Sequence, residues 1–208
     1  MENNNFDNNA DNPEFFSIKW TSKDWLSHVQ KSDDYIKTFR DSYAKHRMNG
    51  KSLEEVCQMN GYSISIQENS EEIEMENTFE PWTLLNHPLY VINMAIFEFI
   101  NMRLDELMQS CQMSASVIWD LAKTILDLSK NLSLAVNSTD LGEVVLAKCH
   151  YKRTLSDINA TLDKIQEIQA FPLKKANYLK EEIFCAIFDL RQICLDLSNE
   201  NENKYYEM

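Results

Sequence analysis

Three glycines (Gly50, Gly61, Gly142) and four prolines in 208 residues constrain this chain more than any motif it carries. Glycine supplies the left-handed backbone of tight turns, and proline interrupts regular structure. A many-stranded sandwich needs a turn about every 8–12 residues, so it needs far more of both. A few long helices joined by short polar loops do not. Apolar residues at 44% and charged residues at 25% are ordinary for a folded chain, and the length suits one good-sized domain or a bundle with a small appendage.

Hydrophobic spacing from Pro81 onward agrees with that expectation. A first segment, about Asn86 to Cys111, is apolar on nearly every side and carries Pro88 in its first turn, where proline is tolerated. A second places Ile118, Leu121, Ile125, Leu128, Leu132 and Ala135 at steps of three and four. A third, with Ser138 or Thr139 as its expected cap, places Leu141, Val144, Tyr151, Leu155, Ile158, Leu162 and Ile165, with Lys148 interrupting the register. A fourth places Leu179, Ile183, Ala186, Leu190, Ile193 and Leu197. These are seam positions of an antiparallel helical bundle. The fold expected is therefore mainly α: a four-helix bundle over 81–199, preceded by an N-terminal helical segment with a small β-hairpin. Residues 1–13, rich in Asn and Asp, read as a disordered leader, 14–80 as an α+β segment and 200–208 as a polar tail.

Within 14–80, Phe15–Trp20 is a short β-prone run. Thr21 or Ser22 then caps a helix patterned by Trp25, Val29, Tyr35, Ile36, Phe39 and Tyr43, with Ser32-Asp33-Asp34 a candidate break and Asn49-Gly50 the stop. Ser52 with Glu55 three residues on is a capping-box signature, and Asn60-Gly61 closes that shorter helix. Tyr62–Ile66 and Glu71–Phe79 then alternate apolar and polar residues around a polar turn. That is the period of a β-hairpin with one apolar and one acidic face; a short helix capped by Ser70 is the rival reading.

Charge is distributed unevenly. The chain carries −13, while residues 51–80 hold one Lys/Arg against eight Asp/Glu and residues 13–50 hold seven against five. Such a balance argues against general nucleic-acid or anionic-membrane binding, and no direct DNA binding is expected. Charge on an edge strand ordinarily protects against sheet-to-sheet pairing. Six glutamates over 68–82 with no intervening base exceed that need. The expectation is a non-enzymatic adaptor, inhibitor or immunity-type factor that presents Glu71, Glu72, Glu74, Glu76 and Glu80, with Trp82 as an apolar anchor, to a basic protein partner. A nucleic-acid mimic would share the acidity, but residues 113–170 are close to neutral.

Motifs for chemistry are sparse. Arg40 and His46, in "RDSYAKH", form a spacing that resembles the R-x(4–6)-H motif of HEPN-type helical ribonucleases. The resemblance covers seven residues and implies a metal-independent ribonuclease or toxin, with Arg40 stabilising phosphorane charge and His46 transferring a proton. In that family the motif sits on a late bundle helix, whereas here it precedes the bundle. Read without the family, the two are solvated residues on a mildly basic amphipathic helix, about 120° apart. No Glu stands three residues before any histidine, and there is no CxxC, HExxH, Walker A or GxGxxG, so neither metal nor cofactor is expected. Ser52–Ser63 begins like a helix-turn-helix but continues into acidic sequence. Cys149-His150, adjacent on a helix, would point about 100° apart. The five cysteines lie in or beside apolar helical patterns and the N-terminus lacks an apolar h-region, so a reduced cytoplasmic protein is expected. The run Leu89–Ile100 contains Asn93 and Glu98 and is too short for a bilayer span.

Overall fold

The computed structural model describes residues 20–64, 83–110, 114–168 and 172–206, with side chains described through 199. These residues form α1 (Ser22–His46), α2 (Leu53–Met59), a single 3-10 turn (Leu84–Asn86), α3 (Pro88–Ser110), α4 (Ala115–Asp140), α5 (Val144–Glu167) and α6 (Leu173–Tyr206). There is no strand among the described residues. No described helix is long and apolar enough to cross a membrane.

Local chemistry sets the ends of these helices. Thr21 caps α1 through a reciprocal box with Asp24, and Ser52 caps α2 through the same box with Glu55. α2 ends where the N–H of Gly61 bonds the carbonyl of Gln58 and the N–H of Tyr62 reaches back to Cys57. That pair of bonds requires a left-handed residue between them, and Gly61 supplies it at φ 74°. Equivalent pairs of bonds follow α1 at Gly50 and α4 at Gly142, so the three glycines are three helix stops. α3 is capped by a histidine: His87 Nδ1 accepts the N–H of Leu89 at 3.2 Å, leaving the Nε2–H of the neutral ring toward Asp140, 3.7 Å away.

Four expectations change. Ser32-Asp33-Asp34 does not break α1, because Ser32 is buried and donates to the carbonyl of Leu85 (2.8 Å) while Asp33 and Asp34 point outward. Ser138 and Thr139 lie inside α4, where their hydroxyls bond back to Leu134 and Ala135, and α5 starts only after Glu143. α6 continues to Tyr206, through most of the segment read as a polar tail. The β-hairpin is the fourth. Its first residues, Tyr62–Ile64, are not in a strand: the Tyr62 N–H is used in closing α2, and the ring packs edge-on against Phe39 at 5.6 Å. The remainder of the hairpin, 65–79, lies outside the described residues, as do the leader and all but the last residue of the strand read over Phe15–Trp20; Trp20 itself is not in a strand.

α3 is central. Eleven of its residues are buried, including Val91, Ile92, Phe97, Phe99 and Ile100, and they face α1, α4 and α6 in turn. α4 packs along α5, and α5 along α6, so α3, α4, α5 and α6 form a closed ring of neighbours. One continuous core joins Ile36, Phe39 and Tyr43 of α1, and Val56 and Cys57 of α2, to the helices that follow.

Polar pairs fix the helices in register. Asp189 of α6, buried, accepts from Tyr43 Oη (2.6 Å), Arg47 Nε (2.8 Å) and Arg47 Nη2 (3.1 Å). Two turns earlier on the same face of α6, Glu182 accepts from Tyr178 (2.7 Å) and pairs with Arg103 of α3, whose guanidinium also lies over Phe99. Arg103 Nε and Glu182 Oε2 are 2.7 Å apart but poorly aligned, so this contact is electrostatic more than a directed hydrogen bond. Asn131 ties α4 to Asp157 of α5 at 2.6 Å.

Two predictions follow from this packing. Asp189→Ala, which strands Tyr43 and Arg47, should cost about 3–5 kcal/mol. Tyr43→Phe should cost about 1.5–3 kcal/mol. Urea denaturation reads both, and a loss below about 1 kcal/mol for Asp189→Ala would show that the α1–α6 tie is dispensable. Burial holds the His87 imidazole below its ordinary 6.5, opposed by Asp140. A histidine with a depressed folded value stabilises above its unfolded value, and that contribution is lost as pH falls from 6.5 through the folded value. Stability should therefore fall as the solution is acidified through this window, and His87→Asn, which keeps a cap acceptor but does not titrate, should flatten the fall.

Candidate functional site

The site builds on the end of α1. Arg47, the last residue of that helix's C-terminal cap, turns its guanidinium onto Asp189 and donates through Nη1 to the carbonyl of Lys51 (3.1 Å). This pins the α1–α2 connection to α6 and leaves a groove of about 610 Å³ between α2 and α6. Leu53, Glu54 and Cys57 form one wall, Asp189, Gln192, Ile193 and Asp196 the other, and Tyr62–Ile64 one edge. Leu53, Cys57 and Ile193 are buried and make an apolar floor, while Glu54 and Gln58 are exposed at the rim. Gln192 Nε2 donates to Asp196 Oδ1 at 2.7 Å.

The electrostatics of the floor are settled internally. The Arg47 guanidinium is raised from its ordinary value, first by its hydrogen bonds to Asp189. Burial, and then the neighbouring Asp189 carboxylate, push the Tyr43 hydroxyl well above the usual phenol range. Desolvation, with Asp189 and Glu54 nearby, pushes the Cys57 thiol up to about 12. A thiol so far above neutrality holds almost no thiolate, so Cys57 is a poor nucleophile. Asp189, already accepting three donors, is poorly placed to take a proton from a substrate. With Arg47 neutralised by Asp189, the charge left at the groove belongs to Glu54 and Asp196. An apolar floor with a carboxylate on each wall can hold an amphipathic cationic side chain by its stem and its head.

The residues expected from sequence are placed unevenly. Glu71, Glu72, Glu74, Glu76, Glu80 and Trp82 lie outside the described residues, but the segment that carries them follows directly on Ile64, at the edge of the groove. Arg40 and His46 both lie on α1. The guanidinium of Arg40 is engaged by Asp41 Oδ1 and by Glu98 Oε2 of α3 (2.9 Å each from Nη2 and Nη1), which raises its affinity for the proton; neither partner is His46. His46 is half-buried in the last turn. Among the described residues no group of three or more His, Cys, Asp or Glu could hold a metal ion. Arg47, Asp189 and Asp196 were not singled out from sequence. The available signal was an aspartate, Asp189, set beside the seam residue Leu190 in an otherwise apolar stretch of α6.

Comparison with protein-family models, with curated proteins and with solved structures finds no match. The chemistry of the groove and the charge pattern are what the functional reading rests on.

Thiol reactivity tests this picture of the groove. Cys149 is exposed and should be labelled rapidly by an aromatic disulfide at mildly alkaline pH. Cys57 and Cys194, buried and both raised to about 12, should remain unlabelled until the chain unfolds. Peptide mapping distinguishes them, and rapid native labelling of Cys57 would mean that the α2 wall opens.

Proposed function

We propose that this chain is a non-enzymatic protein-interaction module that presents an acidic surface to a basic protein partner. α3–α6 are read as a four-helix bundle, and α1 and α2 as the elements that shape the docking face on it. The observation that carries the reading is that the most acidic segment of the sequence also supplies one side of a groove. Residues 51–80 hold a balance of one basic to eight acidic residues. The described part of that segment, α2 with Tyr62–Ile64, forms one side of the groove whose walls carry Glu54 and Asp196.

The physical division of labour is as follows. Glu71, Glu72, Glu74, Glu76 and Glu80 attract the partner at long range and so raise the association rate, an effect that salt screens. Trp82 supplies apolar contact area. The groove receives one Lys or Arg of the partner, its stem on Leu53 and Ile193 and its head between the carboxylates.

The test compares the wild-type chain with a variant in which Glu71, Glu72, Glu74 and Glu76 are changed to Gln, both used to capture partners from the native cell's lysate at low and high salt. A stoichiometric basic protein should be captured by the wild type, released by salt and lost in the variant, with thermal unfolding of the two chains unchanged. Capture of the same protein by the variant, with the same salt response, would sink the reading.

A further inference from the structure

The outward face of α4 carries an apolar stripe that none of the described residues covers. Trp119 is 76% exposed, Leu126 69%, Leu134 38% and Leu141, at the helix C-cap, 63%. Taken at 100° per residue, these positions fall within a sector of about 80°, opposite the buried Leu121, Leu128 and Leu132. Isolated exposed leucines need no explanation, but four large side chains aligned over the 23 residues from Trp119 to the C-cap Leu141 do.

Their spacing is symmetric. Leu126 and Leu134 each stand four residues from Lys130, and Trp119 and Leu141 each stand eleven from it. The polar residues on the same face obey the same rule, since Lys123 and Asn137 are each seven away. Closed two-fold assembly imposes this pattern: if residue i of one copy meets residue j of the other, j must also meet i. On an antiparallel helix pair, the positions that meet are then equidistant from the dyad.

We propose that α4 is a homodimer interface, pairing antiparallel with α4 of a second copy about a two-fold axis at Lys130. Leu126 of each copy meets Leu134 of the other, and Trp119 meets Leu141. Val145 and Leu146, which open α5 just beyond Leu141 and are also exposed, widen the contact around the copy's Trp119. The two Lys130 side chains meet at the dyad, where like charges would repel. Asp127, exposed one turn earlier on each copy, brings two carboxylates to the same place, so the centre is neutral. Lys123 faces Asn137, with no like charge opposed there. The apolar area available is roughly 600 Å² per copy, at the lower end for specific association. The dimer is therefore concentration-dependent, with dissociation on the order of micromolar. It lies on helices other than those that form the groove, and it stands whether or not the proposed function does.

Sedimentation velocity on the full chain across a wide concentration range should show a monomer–dimer equilibrium. Leu126→Asp, at an exposed site, should raise the dissociation constant at least about tenfold, with unchanged circular dichroism. The register has its own test: in a Cys149→Ser background, Lys130→Cys should form a disulfide-linked dimer under mild oxidation far faster than Asn159→Cys on the exposed face of α5. A monomer at every concentration overturns the proposal, as does a dimer indifferent to Leu126→Asp. Equal cross-linking at positions 130 and 159 overturns it as well.

Discussion

A helix that is apolar on most of its circumference must be surrounded, and the rest of this structure is arranged to surround α3. With Val91, Ile92, Ala95, Ile96, Phe99 and Ile100 all essentially inaccessible, α3 loses apolar burial on whichever side a neighbour is removed. α4 and α6 cover it from within the ring of later helices, and α1 covers it from outside. The N-terminal helices are thus part of the main core: Phe39 and Tyr43 are as buried as any residue of the later helices, and Tyr43 packs edge-on against Phe99 at 5.2 Å.

Burial of that kind is non-directional and would tolerate α1 at several offsets along α3. The polar ties select one. Tyr43 and Arg47 meet Asp189 only in a single register of α1 on α6, and Arg40 reaches Glu98 of α3 from the same helix. A buried ion pair often adds little net stability compared with apolar residues of the same shape, yet it is costly to half-remove. Here its consequence is geometric. Because Arg47 also holds the carbonyl of Lys51, the position of α2, and with it the groove, follows from the register of α1.

Much of the helical architecture was legible in the chain, for identifiable reasons. The α4 seam of Leu121, Ile125, Leu128 and Leu132, and the α6 seam from Leu179 to Leu197, are strictly periodic and buried as read. The all-round apolar α3 announced its central place. α5 was read less well: Thr154 and Thr161 are fully buried, while Leu155 and Leu162 only border the core. Threonine fits that position because its hydroxyl bonds the carbonyl one turn back, a local satisfaction that a hydrophobicity pattern does not register. The same effect hid the true end of α4 behind Ser138 and Thr139. Alternation suggested a strand at Tyr62–Ile66, but the helix stop at Gly61, immediately before it, had already claimed the Tyr62 N–H. The candidate site was the least legible part. Asp189 and Arg47 are separated by 142 residues, and no local pattern joins an aspartate beside one helix seam to an arginine at the end of another helix.

The central claim is that α1 belongs to the same cooperative unit as α3 and α6. Native-state hydrogen exchange in low denaturant tests it most directly, because it measures the opening free energy of each helix separately. The account predicts that amides of Ile36–Tyr43 in α1, Ile92–Ile100 in α3 and Ile183–Leu190 in α6 exchange through one common opening, at the free energy of global unfolding. Exchange of α1 through a separate opening of lower free energy, with α3 and α6 still protected, would contradict it.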